Sequence, residues 1–155
     1  MNNKGITFIE IIVTMAIAGI ITGMAYSIFF QWKSSVLLIN QVDEFKSKII
    51  EVRQAAISAE NEKNWGIHLE ENAYIIFSGN SYNELAEENE LIELKNALIS
   101  NPENSLSDGI GGFSPDLIFT KFSGETANTG TVELIYKNNP EVKRFINIEN
   151  GGKIN

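Results

Sequence analysis

Between Glu10 and Lys33 the chain carries no charge for 22 consecutive residues, Ile11–Trp32. A hydrocarbon core takes about 20 apolar residues as helix, and this stretch supplies them. A conventional secretory signal has a shorter apolar core, roughly 7–15 residues, that ends at a small-residue cut site. Met24-Ala25-Tyr26-Ser27 imitates such a site only weakly, and apolar character runs on through Ile28, Phe29 and Phe30 without a helix breaker. A retained membrane anchor is the expectation.

The rest of the chain is different in kind. Nineteen of the 20 acidic residues follow the run, against 12 basic residues overall, for a net charge of -8. An acidic chain argues against sequence-independent binding of nucleic acid, which needs clustered positive charge. A hydrophobic content of 43% is too high for a disordered tail. Cysteine is absent, which excludes disulfide frameworks, Cys-ligated zinc and thiol catalysis. The length of 155 residues fits one domain beyond the anchor.

Glu10 stands where the apolar segment begins. A lone carboxylate inside a bilayer helix costs about 2.5–3.5 kcal/mol. Glu10 therefore either stays hydrated at the membrane surface without a role or meets a cationic partner in an assembly. Gly19 and Gly23 have the spacing of a small-residue helix contact. They also loosen a helix by about 1 kcal/mol each relative to Ala, and a tolerated pair with no role is a third reading.

Gly5-Ile6-Thr7-Phe8-Ile9-Glu10, behind Lys4 and ahead of an anchor, resembles the prepilin peptidase recognition motif of type IV pilins and type II secretion pseudopilins. The resemblance implies a leader, residues 1–5, cut between Gly5 and Ile6 on the cytoplasmic side, and N-methylation of Ile6. It also implies that Phe8 and Glu10 serve peptidase recognition and subunit assembly, Glu10 pairing with the Ile6 ammonium of a neighbour. Such a pair is attractive in low dielectric, and its loss leaves an uncompensated charge. The implied partners are prepilin peptidase, other pilin or pseudopilin subunits through the N-terminal helix, an inner-membrane assembly platform, and membrane lipid before assembly. The implied location is the cytoplasmic membrane, single-pass, and then a periplasmic or extracellular fibre. Many pilins kink this helix with a proline; here there is none.

Beyond Trp32, Leu38, Val42, Phe45, Ile49, Val52 and Ala56 recur at alternating spacings of 4 and 3, one apolar stripe on a helix. No Pro or Gly falls between Met24 and Trp65. One helix from about Thr7 to about Ala59 is expected, roughly 80 Å long. Residues 6–32 form its transmembrane and assembly half, and residues 33–60 its amphipathic half. Residues 61–155 read as a β-rich body. Strands are expected over Trp65–Glu70 and Ala73–Ser78 around a turn at Glu71-Asn72, and over Asp116–Phe122, Thr131–Lys137 and Val142–Ile148. Leu134, Tyr136, Phe145 and Ile148 would supply apolar surface. Residues 84–100 suit a helix by propensity, but Glu90–Leu94 alternates like a strand; a turn over Tyr82–Asn89 is expected, followed by strands near Leu91–Leu94 and Ala97–Ser100. Residues 101–115 read as a polar, Gly-rich loop. The fold class is α+β, a long N-terminal helix packed on an antiparallel sheet. The order of helix, early hairpin and Phe119…Gly124…Gly130-Thr131-Val132-Glu133-Leu134…Arg144-Phe145-Ile146…Gly152 resembles the GspH/FimT minor pseudopilins.

Other chemistry finds little purchase. His68 is the only histidine and reads as a packed or surface residue. Asp108-Gly109-Ile110-Gly111-Gly112-Phe113 lacks the Lys-Ser/Thr ending of a phosphate loop and reads as a turn. Some major pseudopilins bind calcium, and Glu87, Glu88, Glu90, Asp108 and Asp116 carry oxygen ligands. They lack EF-hand spacing and read as a solvated acidic face. No nucleophile with a base, metal cluster or cofactor loop is evident, so no enzyme, cofactor or metal is expected. Some FimT-like pilins take up DNA through a basic C-terminal tip; Asn150–Asn155 here holds one lysine. The expected function is a structural, minor prepilin-like subunit of a type IV pilus or type II secretion pseudopilus. The alternatives are a signal-anchored surface ligand-binding module and a DNA-uptake minor pilin.

Overall fold

The computed structural model describes residues 7–58 and 62–155. The fold is α+β: one long helix followed by antiparallel sheets. Helix α1 spans Phe8–Ile57, 50 residues. Its start is set by Thr7, whose backbone and hydroxyl oxygens both accept the Glu10 N–H, at 3.1 and 3.4 Å. Thr7-x-x-Glu10 is the spacing of a capping box. At the other end Phe122 N–H donates to Ala56 O at 2.9 Å, giving a terminal carbonyl the partner that the helix cannot. The expected extension to Ala59 lies outside the described residues.

Two compact units make up the chain, Met1–Ser34 and Ser35–Asn155. In the first, the large apolar side chains from Phe8 to Trp32 are exposed. Thr14 and Thr22 hydroxyls return to the carbonyls of Ile11 and Ala18 at 2.9 and 2.7 Å, so neither is left unpaired on an apolar helix.

The second unit holds the core. Strands are β1 (Trp65–Leu69), β2 (Ala73–Ser78), β3 (Glu90–Glu93), β4 (Ala97–Ser100), β5 (Leu106–Ser107), β6 (Phe113–Ser114), β7 (Asp116–Phe119), β8 (Gly130–Tyr136) and β9 (Asn139–Ile148). They form two antiparallel sheets, one ordered β3-β2-β1-β7 and one in which β8 pairs with β4 and β5 and also with β9, while β6 pairs with β5. All six stripe residues from Leu38 to Ala56 are buried in one core with Ile67, Tyr74, Ile76, Leu117 and Phe119 of the first sheet and Ile99, Val132, Leu134 and Ile146 of the second. Residues of β7 and β8 alternate in and out as their sequence does. β2 does not alternate; Ile75 and Phe77 are buried on its other face, where Tyr82 lies 5.7 Å from the Phe77 ring. Gly66 is required there, since a Cβ would stand 2.5 Å from Phe77 and 2.9 Å from Leu117 O.

Three expectations need correction. Phe145 is 56% exposed, and Ile146 with Ile148 fills the core instead; positions of opposite parity on one strand cannot both face inward. Lys121 and Phe122 leave the strand for a turn, Phe122 at φ 67. Residues 101–115 are not all loop: Pro102–Asn104 make a 3-10 turn, and β5 pairs with β6.

Tyr74 carries a polar group the core does not use. Its ring is fully buried, 4.6 Å from Phe45, and among the described residues its hydroxyl has no hydrogen-bond partner. Burial foremost, and then Glu44, Glu90 and Glu51, push its ionisation far above the usual tyrosine range. A buried hydroxyl left unpaired costs about 1–3 kcal/mol. Tyr74→Phe is therefore expected to raise stability by about 1 kcal/mol, read as a higher urea midpoint at unchanged m.

Candidate functional site

The N-terminal candidates fall on both sides of the described boundary. Gly5 and Ile6, the expected cut and methylation sites, lie outside the described residues, as does the leader. Phe8 opens α1 and is 78% exposed. Glu10 is exposed in the first helical turn. Gly19 and Gly23 lie one helical turn apart, and a Cβ at either would meet nothing within 4 Å. Their glycine character thus answers no packing need within the chain. Among the described residues α1 is the one helix long and apolar enough to cross a membrane. The uncharged run ends in aromatic contacts, Tyr26–Phe30 at 4.4 Å and Phe29–Trp32 at 6.3 Å, followed by Lys33. Aromatic rings backed by a cation suit the level of lipid headgroups.

In the body the acids are dispersed. Glu88 takes Lys63 Nζ at 2.8 Å and the Ser78 hydroxyl at 2.9 Å; the two donors hold its carboxyl below the ordinary range. Asp116 binds His68 Nδ1 at 2.6 Å, on register partners of β7 and β1, and Tyr82 stacks on the imidazole at 3.9 Å. This joins two strands and a loop. Among the described residues no three His, Asp or Glu side chains are grouped as metal ligands.

The glycine-rich turn holds its own anion. Asp108 Oδ1 accepts the N–H groups of Ile110 and Gly112, each at 2.8 Å. Those amides are what a phosphate would need, and the carboxylate already occupies them. The Ile110 N–H, then that of Gly112, holds the Asp108 carboxyl below its usual range. Its contribution to the turn is present above the ordinary carboxylate range and fades as pH falls through the lowered value. The amide resonances of Ile110 and Gly112 should titrate with a midpoint below that of an unperturbed aspartate.

The C-terminal segment is folded back. Asn155 exchanges two backbone bonds with Asn147, at 3.0 and 3.1 Å, and Lys153 is 3.7 Å from Glu149. Arg53 of α1 donates to Gly124 O at 2.9 Å and Gly151 O at 3.0 Å, tying two loops to the helix. Buried Asn128 takes the Ile118 N–H on β7 and donates to Ser107 O on β5, joining the two sheets. Neither residue has a sequence signal; the Thr7–Glu10 box does.

No curated protein and no solved structure matches the chain. Residues 1–26, which take in the start of α1 and most of its exposed apolar half, match the family model of the prokaryotic N-terminal methylation motif, a type IV pilin-like leader.

Proposed function

We propose that the chain is a minor, prepilin-like structural subunit of the GspH/FimT kind, which prepilin peptidase cuts between Gly5 and Ile6. On this reading residues 1–5 are the leader, residues 6–32 the transmembrane and assembly half of the helix, residues 33–60 its amphipathic half, and residues 61–155 the body. The observation that carries it is the methylation motif at residues 1–26 running into a 50-residue helix whose first half is apolar and exposed. Before assembly that half sits in the cytoplasmic membrane with the leader in the cytoplasm and the Tyr26–Trp32 rings at the outer headgroups. In a type IV pilus or type II secretion pseudopilus it packs against other subunits: Glu10 meets the methylated Ile6 amine of a neighbour, and Gly19 and Gly23 admit close helix approach. The body supplies outward contacts.

The test is the intact mass and N-terminal residue of the full chain made with and without a prepilin peptidase. Loss of Met1–Gly5 with a methyl group on Ile6, abolished by Gly5→Val, is the expected result. An uncut chain, or a cut near Ala25, overturns the reading.

A further inference from the structure

Each sheet of the body ends in an open strand edge. β3 closes the first sheet on one side, and β9 flanks β8 in the second. On the far side of β9, Ile148 bridges to Ile154, Asn147 bonds Asn155, and the Lys143 carbonyl accepts the Arg144 guanidinium of its own strand at 2.9 Å. The opposite edge of the first sheet is closed: the N–H of Ile118 on β7 goes to Asn128 Oδ1, and that of Thr120 just beyond it to Glu125 O. Open edges are templates for another strand.

The ladders determine which backbone groups of these edges point outward. Leu94 N–H donates to Asn72 O, one step beyond the Tyr74–Ile92 pair, so Ile92 and Leu94 turn their groups toward β2. Leu91 and Glu93 therefore present N–H and C=O outward. On β9, Asn147 exchanges both its bonds with Asn155 across the outer edge. Phe145 and Lys143, two and four residues before it, present theirs on that side; the Lys143 carbonyl accepts Arg144 with one lone pair and keeps the second for a neighbouring strand.

We propose that β3 of one copy adds to β9 of a second copy of this chain, antiparallel, with Leu91 opposite Phe145 and Glu93 opposite Lys143. Both are hydrogen-bonding positions on both edges, so this register closes two doubly bonded pairs. The side chains agree with it. Leu91 is 59% and Phe145 56% exposed, an apolar pair, with Lys143 Nζ 6.0 Å from the Phe145 ring. Glu93 faces Lys143, whose Nζ already lies 2.9 Å from Glu133 and would stand between two carboxylates. Opposite charges across a pair favour the match, and like charges oppose the alternatives. Two β3 strands would gather four glutamates, and two β9 strands two Lys143 and two Arg144 side chains. The contact is heterologous: it leaves β9 of the first copy and β3 of the second free, so it propagates. It is independent of peptidase processing, because neither strand involves the N-terminus.

The absence of cysteine makes the test clean. Two differently tagged full-length chains, one with Leu91→Cys and one with Phe145→Cys, are coexpressed and the membranes oxidised. A mixed disulfide dimer is expected, while each variant alone stays monomeric. Pairing Leu91→Cys with Glu141→Cys, about 13 Å out of register at ~3.3 Å per residue, should leave monomer, since a disulfide needs Cα atoms within about 7 Å. Adding Glu93→Lys to the Leu91→Cys chain should cut the mixed dimer severalfold. The proposal is overturned if no mixed dimer forms, if the out-of-register pair links equally well, if Leu91→Cys links chiefly to itself, or if it links instead to other membrane proteins.

Discussion

Glu10→Gln is expected to leave the chain anchored and, among those chains that are cut after Gly5, to remove it from the assembled fibre. The choice of Gln over Ala decides between two roles for the residue. Thr7 accepts the Glu10 N–H and Glu10 stands at the third helical position, so part of its value is local, in starting α1. Glutamine serves that position as well as glutamate. It does not serve an ammonium. If the carboxylate pairs with the Ile6 amine of a neighbour, Gln leaves that amine uncompensated in low dielectric, a loss of about 3–5 kcal/mol. Fibre incorporation, scored per processed chain, should then fall by more than about a hundredfold. Ala should do the same. If Gln incorporates normally and Ala does not, the residue works as a helix cap, and the pairing account is wrong.

The legible part of this fold is the part governed by period. The 4-3 alternation from Leu38 to Ala56 marks the apolar buried face of α1, because a straight helix offers one stripe to one core; Gln41, beside the stripe, is buried as well and carries no apolar signal. Ala73–Ser78 and Ala97–Ser100 are strands at the expected bounds. Failures occur where pairing rather than pattern decides. Val142–Ile148 offers Phe145 and Ile146 as rival inward positions, and only the register with β8 selects Ile146. Leu106–Ser107 and Phe113–Ser114 are too short to show any period, and exist because each finds the other.

The candidate site divides in the same way. The leader motif is local and survives as a string, which is why it is visible without any fold. The Arg53 clamp spans 71 and 98 residues, and the Asn128 stitch joins two sheets. Such contacts have no spacing rule. Asp108 lies between: its glycine-rich neighbourhood suggests an anion site, and only the side chain's own direction reveals that the anion is built in.

Phe45→Ala should be the most damaging single substitution in the core. Phe45 is fully buried on α1, one turn from Val42 and from Ile49, with its ring 4.6 Å from Tyr74 at an interplanar angle of 43°. Truncating such a ring costs about 3–5 kcal/mol, the lost transfer energy plus the cavity it leaves. Against a usual total of about 5–15 kcal/mol, urea unfolding of the full chain in detergent should shift to a far lower midpoint. The vacated space lies against Tyr74, and that makes the pair informative. In the intact core Tyr74→Phe removes an unpaired hydroxyl and gains stability. Beside the new cavity the hydroxyl can hold a water, so the same change should gain less or turn unfavourable. Residues in contact are where such non-additivity is expected. A double-mutant cycle with coupling near zero would mean that the Tyr74 hydroxyl does not reach the space Phe45 fills, and that its burial depends on other neighbours.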